Sequence, residues 1–139
     1  MNITDGIERT VATMDEEENT LNAARLMTEK MIGSVVVTSH SRIIGIFSER
    51  ELMMRVVGKG RDPARVKLRE VMQSDNLKVA ADTSCENALE HMRQNRCRHL
   101  LVFDQDKFIG LISLRDIVLL TLKEKDGLIH QLEQYISAS

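Results

Sequence analysis

The chain has 139 residues, a length typical of one compact domain or of two small repeats that share a core. Its formal net charge of -2 excludes a general attraction to nucleic acid or to an anionic membrane, so an anionic ligand would need a local basic cluster. With no Trp, one Tyr and three Phe, the chain also lacks the aromatic rings on which single-stranded bases stack.

No segment has the pattern of a targeting or membrane-spanning element. Residues 1–10 show neither a basic start nor an apolar run, so no signal peptide is expected. Apolar runs such as 117–120 fall far short of the ~20 residues that a bilayer requires. Cys85 and Cys97 lack CxxC spacing and predict free, part-buried thiols in a reducing compartment. We therefore expect a cytoplasmic protein.

The chain repeats itself with a step of 65 residues. Without a gap, residues 22–51 align with residues 87–116, and eight of these thirty pairs are identical. The identical pairs include Gly45 with Gly110 and Ser48 with Ser113. Similar apolar residues surround them, so an internal duplication explains the pattern best.

The first copy predicts a helix followed by a β-hairpin and a second helix. Apolar residues at steps of three and four indicate an amphipathic helix, and short β-branched runs indicate strands. The predicted elements are a lead-in at 3–7, a helix with apolar positions Leu21, Ala24, Met27 and Met31, strands at 34–38 and 43–47 joined by a polar turn, and a helix from Ser48.

The second copy follows a linker at 58–67, which contains the only proline of the chain, and repeats the same order. Its predicted elements are a lead-in at 68–72, a helix with apolar positions Cys85, Leu89 and Met92, strands at 99–103 and 108–112, a helix from Ser113, and a further helix over 121–136 that is broken or kinked near Gly127.

These elements predict an α+β (mixed α/β) fold made of two β-α-β-β-α repeats. Because one such unit cannot bury both faces of its small sheet, two copies are expected to pack together with pseudo-twofold symmetry. The first repeat is placed at residues 1–60. The second repeat, with the C-terminal helix, is placed at residues 61–139.

The two copies end their hairpins on related motifs, GIFSERE at 45–51 and GLISLRD at 110–116, and Arg98–His99 opens a strand of the second copy. In this pattern the chain resembles a tandem pair of cystathionine β-synthase (CBS) domains, a Bateman module, as found in small stand-alone bacterial proteins. The resemblance implies a non-enzymatic regulatory sensor that binds AMP, ADP, ATP or a related compound in the cleft between the repeats. It also implies a homodimer.

The resemblance assigns the main nucleotide site to the second motif. Asp116 can accept hydrogen bonds from both ribose hydroxyls, and Ser113 can bond a phosphate or ribose oxygen. The unpaired N–H groups of the helix start favour an anion. The full set expected at this site is Ser113 and Asp116 for the ribose and phosphate, Arg98, His99 and Arg115 for neutralising phosphate, and Ile112 with Ile32 and Gly33 of the other copy beside the adenine.

A possible second site comprises Ser48, Arg50, Glu51 and Cys97. Glu51 departs from the family's Asp and is one methylene longer. Three alternatives therefore stay open for this site: weaker binding, another ligand or no ligand. Ser with Glu three residues later is also the pattern of a helix capping box, and a cap is expected in both copies.

Several other functions find less support in the residues. The four His and two Cys have no metal-ligand spacing, and no set of side chains has the arrangement of a catalytic centre. No cofactor, nucleic acid or membrane partner is expected, while an unknown effector protein is compatible with the pattern. The alternatives are a protein-interaction adaptor with degenerate ligand sites, and a sensor of NAD(H) or S-adenosylmethionine.

Overall fold

The computed structural model describes residues 1–138, with the side chains of all these residues except 126–129, 131, 135 and 138. The fold is the expected mixture of helices with two three-stranded sheets. The chain forms two compact units, one of Thr10–Leu77 and the other of Met1–Arg9 with Lys78–Ser139. Within the described residues no helix combines the length and apolar composition that crossing a bilayer requires.

The unit of Thr10–Leu77 contains the first copy. In its sheet the central strand pairs in parallel with the strand before the first helix and antiparallel with the strand that follows. Asn19 caps the first helix by accepting a hydrogen bond from the Asn22 N–H at 2.8 Å. The elements are β1 (Thr13–Asp15), α1 (Thr20–Lys30), β2 (Ser34–Ser39), β3 (Arg42–Ser48), α2 (Glu49–Glu51), which continues as a π turn over Leu52–Val56, and α3 (Leu68–Val71).

The other unit contains the second copy in the same order and with the same pairing. Both hairpins even carry the same irregularity of register, between Val37 and Thr38 in one copy and between Val102 and Phe103 in the other. This unit's elements are a 3-10 turn (Ile3–Gly6), β4 (Lys78–Ala80), α4 (Cys85–Asn95), β5 (His99–Asp104), β6 (Lys107–Ser113) and α5 (Leu114–Ala138). The shared irregularity strengthens the conclusion that the copies arose by duplication.

The four hairpin strands lie where the apolar runs predicted them, within two residues at each end. The first strand of each copy lies at 13–15 and 78–80. The sequence predicts a strand before the first helix of the repeat but does not indicate its residues. Each has three residues and exposes two of them, so it produces no apolar run in the sequence.

The buried face of α1 differs from the predicted one. Thr20, Ala23 and Met27 are buried, whereas Met31 is 92% exposed. Met31 adopts a left-handed conformation with φ of 54° that ends the helix, so its side chain leaves the apolar face. In α4 the buried residues are Cys85, Ala88 and Met92, and the expected Leu89 is only half-buried.

The C-terminal region is one helix. The sequence predicted a further helix, broken or kinked near Gly127, but α5 runs without a break from Leu114 to Ala138. The predicted break is absent because a single glycine costs a helix only about 1 kcal/mol relative to alanine, which does not suffice to end it. The two cysteines form no disulfide, as predicted, and both are buried rather than part-buried.

The lead-in segments fold with the opposite copy of the repeat. Glu8 exchanges two backbone hydrogen bonds with Leu111 of β6, at 2.8 and 2.9 Å. Gln73, which is 65 residues further on, makes the same exchange with Ile46 of β3, with both bonds at 2.9 Å. The compact units therefore differ from the sequence repeats, because residues 1–9 join the second copy and residues 61–77 join the first.

These backbone pairs explain why both copies carry glycine before the paired residue. A Cβ on Gly110 would lie 2.1 Å from the Glu8 carbonyl oxygen, and one on Gly45 would lie 2.4 Å from the Gln73 carbonyl oxygen. Real Cβ atoms do not approach backbone oxygens so closely, so only glycine lets the lead-in reach the strand.

Replacing Gly110 by alanine is therefore expected to lower the free energy of unfolding by about 2–3 kcal/mol, at the upper end of the usual cost of overpacking. Urea unfolding followed by circular dichroism measures the effect. Gly60→Ala is the control, because its added methyl group meets no atom within 4 Å. The Gly60→Ala substitution should lower the free energy of unfolding by about 1 kcal/mol, and only because of the left-handed φ of 67°. A loss for Gly110→Ala no larger than for Gly60→Ala would contradict this role of the glycine.

Candidate functional site

In each unit the start of one hairpin strand lies beside the start of the helix that follows the hairpin. Ser48 pairs with Ser34 across the first hairpin, and Ser113 pairs with His99 across the second. The carbonyl oxygen before each of these strands accepts a hydrogen bond from the first residue of the helix. This bond runs from the Glu49 N–H to Gly33 at 3.1 Å, and from the Leu114 N–H to Arg98 at 2.8 Å.

In the second copy Ser113 and Asp116 form a reciprocal capping box. The Ser113 N–H donates to Oδ2 of Asp116 at 3.0 Å, and the Asp116 N–H donates to Oγ of Ser113 at 3.0 Å. The predicted cap is therefore present. Three polar groups of this cap have no protein partner among the described residues. They are the hydroxyl proton of Ser113, Oδ1 of Asp116 and the backbone N–H of Arg115.

The surroundings of this cap carry positive charge. The side chains of Arg98 and Arg115 are exposed, while Ser113 and Asp116 are half-buried and within reach of solvent. His99 is half-buried as well. Two arginines are therefore attached to the backbone next to the start of α5, and guanidinium groups bind phosphate in a planar, two-pronged geometry.

In the first copy the same positions make different hydrogen bonds. Oε1 of Glu51 accepts both the Ser48 N–H at 3.0 Å and the Ser48 hydroxyl at 2.6 Å. The Arg50 N–H donates to Oγ of Ser48 at 3.3 Å. Ser48 is only 5% exposed and Glu51 only 4%. The hydroxyl proton of Ser48 is therefore used inside the protein.

A second carboxylate, that of Glu49, lies beside this first cap. Its Oε1 is 2.5 Å from the point where a Cβ on Gly33 would stand. Arg50 Nε lies 3.3 Å from the sulfur of Met54. The start of the first closing helix is thus rich in carboxylates, whereas the second copy has Leu114 in place of Glu49.

The structure gathers most of the predicted residues of the main site into one unit. Two predicted members, Ile32 and Gly33, belong to the other unit, and Ile112 needs a correction. The Ile112 side chain is fully buried and its Cδ1 points towards Gly6, so it offers no surface to an adenine ring. The members that lie together are Arg98, His99, Ser113, Arg115 and Asp116.

The possible second site is divided in the same way. Ser48, Arg50 and Glu51 lie together, while Cys97 belongs to the unit of the second copy and is buried. Burial raises the pKa of the other thiol, that of Cys85. Within the described part of the chain, no group of three His, Cys, Asp or Glu side chains is placed to hold a metal ion.

Sequence reasoning missed the contribution of Glu49. The alignment of the copies already paired it with Leu114, which is a change from an acidic to an apolar residue beside the predicted site. The direction of the serine hydrogen bond could not be read from the motif, because a hydroxyl can both donate and accept.

The family model described as CBS domain matches the chain twice, at residues 7–58 and 68–123. A protein of Methanopyrus kandleri is 34% identical over 112 residues, which cover 79% of this chain and 57% of that protein. This chain therefore spans little more than half the length of that relative.

Solved structures share the fold. A CBS-domain protein from Burkholderia ambifaria is 33% identical with a TM-score of 0.77, covering 83% of this chain and 85% of the other. The hexameric CBS-CP12 protein of bloom-forming cyanobacteria has a TM-score of 0.77 over 85% of this chain and 66% of its own. At 23% identity, this second likeness shows the fold alone.

Domain pairs of this kind generally serve regulation and ligand binding. The two family matches together cover most of the chain, and the repeat, the sheets and the solved relatives agree with them. The chain belongs to the CBS domain family and carries two copies of the domain.

Proposed function

We propose that this chain is an adenosine-nucleotide sensor that binds AMP, ADP, ATP or a related compound at Asp116. The observation that carries the proposal is the set of unused groups at the start of α5. A hydroxyl proton, a carboxylate oxygen and a backbone N–H lie within one helical turn and have no protein partner among the described residues. Two exposed arginines accompany them.

The ribose is the part of the ligand that Asp116 suits best. Its Oδ2 is held by the Ser113 N–H, which fixes the carboxylate, while Oδ1 is available to accept hydrogen bonds. Neighbouring ribose hydroxyls are both donors, and bonds from a hydroxyl to a carboxylate are about twice as strong as neutral ones. A deoxyribose would lose one of these bonds.

The phosphate is matched by donors and positive charge. The Arg115 N–H and the Ser113 hydroxyl can donate to phosphate oxygens, and the positive end of the 25-residue helix α5 favours an anion there. Arg98 and Arg115 add positive charge to a chain with a net charge of -2. The adenine contacts predicted for Ile32 and Gly33 remain a prediction.

A sensor also has to change when its ligand binds. This happens only if the ligand has a higher affinity for one arrangement of the protein than for another. NAD(H) and S-adenosylmethionine contain the same adenosine group, so the Asp116 contacts alone do not exclude them. A protein-interaction adaptor is the alternative without a ligand.

The first test is a thermal-shift panel of AMP, ADP, ATP, NAD, NADH and S-adenosylmethionine, in protein shown free of carried-over nucleotide. A ligand at 100 times its dissociation constant adds about 2.7 kcal/mol to the apparent stability, which raises the melting temperature measurably. Asp116→Asn should abolish the shift, because it removes the negative charge while keeping the size of the side chain.

Asp104→Asn is the matched control, since Asp104 is exposed at the opposite end of β5 from His99. It should keep the full shift. An undiminished shift in Asp116→Asn would reject the Asp116 site, and no shift with any compound would favour the adaptor.

We also propose that two copies of the chain form a homodimer through the helices that close the repeats. Each copy exposes three apolar side chains at equivalent positions, 65 residues apart. Single exposed apolar residues are common, but the same triad in both copies indicates a shared use. The triads are Met53, Met54 and Val57, exposed by 61%, 48% and 61%, and Val118, Leu119 and Leu122, exposed by 44%, 52% and 50%.

A second copy is the occupant we propose because paired apolar patches suit a twofold interface, in which each chain offers the same surface to the other. The cyanobacterial CBS-CP12 protein, which shares the fold, is itself hexameric. A stable interface buries at least about 1,000 Å², so both triads are expected to take part.

Light scattering after size exclusion tests the homodimer. The wild type should have twice the chain mass of 15.8 kDa, and the double variant Met54→Glu with Leu119→Glu should have the mass of one chain. The reason is that burying unpaired carboxylates in an apolar interface is costly. Lys123→Glu, on an exposed position of α5 outside the triad, is the control and should remain dimeric. A double variant of unchanged mass would refute this interface.

A further inference from the structure

We propose that each chain binds one adenosine ligand, at Asp116, and that Glu49 and Glu51 close the equivalent position in the first copy. This inference rests on the proposed function and deepens it, because it states which of two duplicated motifs is used. The two motifs differ little in sequence. They differ in their hydrogen bonds, their burial and their charge.

The first difference is the hydrogen bond of the serine hydroxyl. In the second copy Ser113 accepts from the Asp116 N–H and keeps its own proton for a ligand. In the first copy Ser48 donates its proton to Glu51 at 2.6 Å. A hydroxyl has a single proton, so Ser48 can serve a ligand only after this bond is broken.

The extra methylene of glutamate explains this difference. One oxygen of Glu51 reaches both the N–H and the hydroxyl of Ser48, at 3.0 and 2.6 Å. The shorter Asp116 accepts only the N–H of Ser113, so the Ser113 hydroxyl donates to no protein atom among the described residues, although both serine oxygens accept an N–H from their own helix. A change of one carbon thus decides whether the cap uses the serine proton.

Burial is the second difference. Ser48 and Glu51 are 5% and 4% exposed, whereas Ser113 and Asp116 are half-buried. A ligand at Glu51 would have to reach a carboxylate that is almost fully buried and would compete with the two Ser48 donors on its Oε1. Leaving such a group unsatisfied is costly, so the closed cap opposes binding.

Charge is the third difference. The first copy has Gly33 and Glu49 where the second has Arg98 and Leu114. The Glu49 carboxylate lies in the space beside Gly33, next to the helix start that would otherwise attract a phosphate. Like charges at close range repel, so the carboxylate disfavours a nucleotide phosphate here while the arginines attract one in the second copy.

The test is the number of ligands per chain, measured by isothermal titration calorimetry with AMP, ADP and ATP. We expect one per wild-type chain and none for Asp116→Asn. The exchange variant Glu49→Leu with Glu51→Asp gives the first copy the residues of the second and should bind two. The new site should be the weaker of the two, because Gly33 supplies no cation where the second copy has Arg98.

The matched control is the reverse exchange, Leu114→Glu with Asp116→Glu, which should bind none. Unfolding midpoints establish that each variant is folded, and Glu51→Asp alone is the smaller change to use if the exchange variant unfolds. It should also add a second, weaker site.

The outcomes separate this inference from the proposed function. Two ligands per wild-type chain, or one retained at full affinity by Asp116→Asn, would overturn the closed first site and keep the idea of a nucleotide sensor. A folded exchange variant that still binds one would reject the role of Glu49 and Glu51. No binding of any adenosine compound to the wild type would reject the proposed function itself.

Discussion

The backbone pairing between each lead-in and the hairpin of the opposite copy is the constraint on which the rest of the structure depends. Glu8 with Leu111 and Gln73 with Ile46 each share two hydrogen bonds, and each pair lies next to a glycine that has no room for a Cβ. These pairs hold the last strand of each hairpin, and that strand leads directly into the capping serine. The position of the candidate site therefore depends on an exchange of segments between the two copies.

The capping motif and the proposed ligand site compete for the same polar atoms. A buried cap that uses the serine proton stabilises a helix start and leaves no hydroxyl donor for a ligand, as at Ser48 and Glu51. A half-buried cap made with aspartate leaves the hydroxyl proton of its serine unused, as at Ser113 and Asp116.

The proposed site and the proposed interface share the helix α5. Asp116 lies in its first turn, and Val118, Leu119 and Leu122 follow within the next two turns. A ligand that pulls on the start of the helix would shift these apolar side chains together with it, since a helix moves as a rigid element over such a distance. In the proposed function, ligand binding would therefore act on assembly, through a difference in ligand affinity between two arrangements.

The amino-acid sequence by itself determined the repeat, the hairpins, the fold class and the motif that carries the site. Local patterns specify these features, because apolar runs make strands and Ser-x-x-Asp or Ser-x-x-Glu makes a cap. Only the tertiary structure decided that residues 1–9 fold with the second copy, that Ile112 is buried and that Ser48 gives its proton to Glu51. The exchange of segments and the burial of a side chain depend on partners that lie far away in the chain. The direction of a hydroxyl bond depends on distances of a few tenths of an ångström. Residue spacing in the sequence contains neither kind of information.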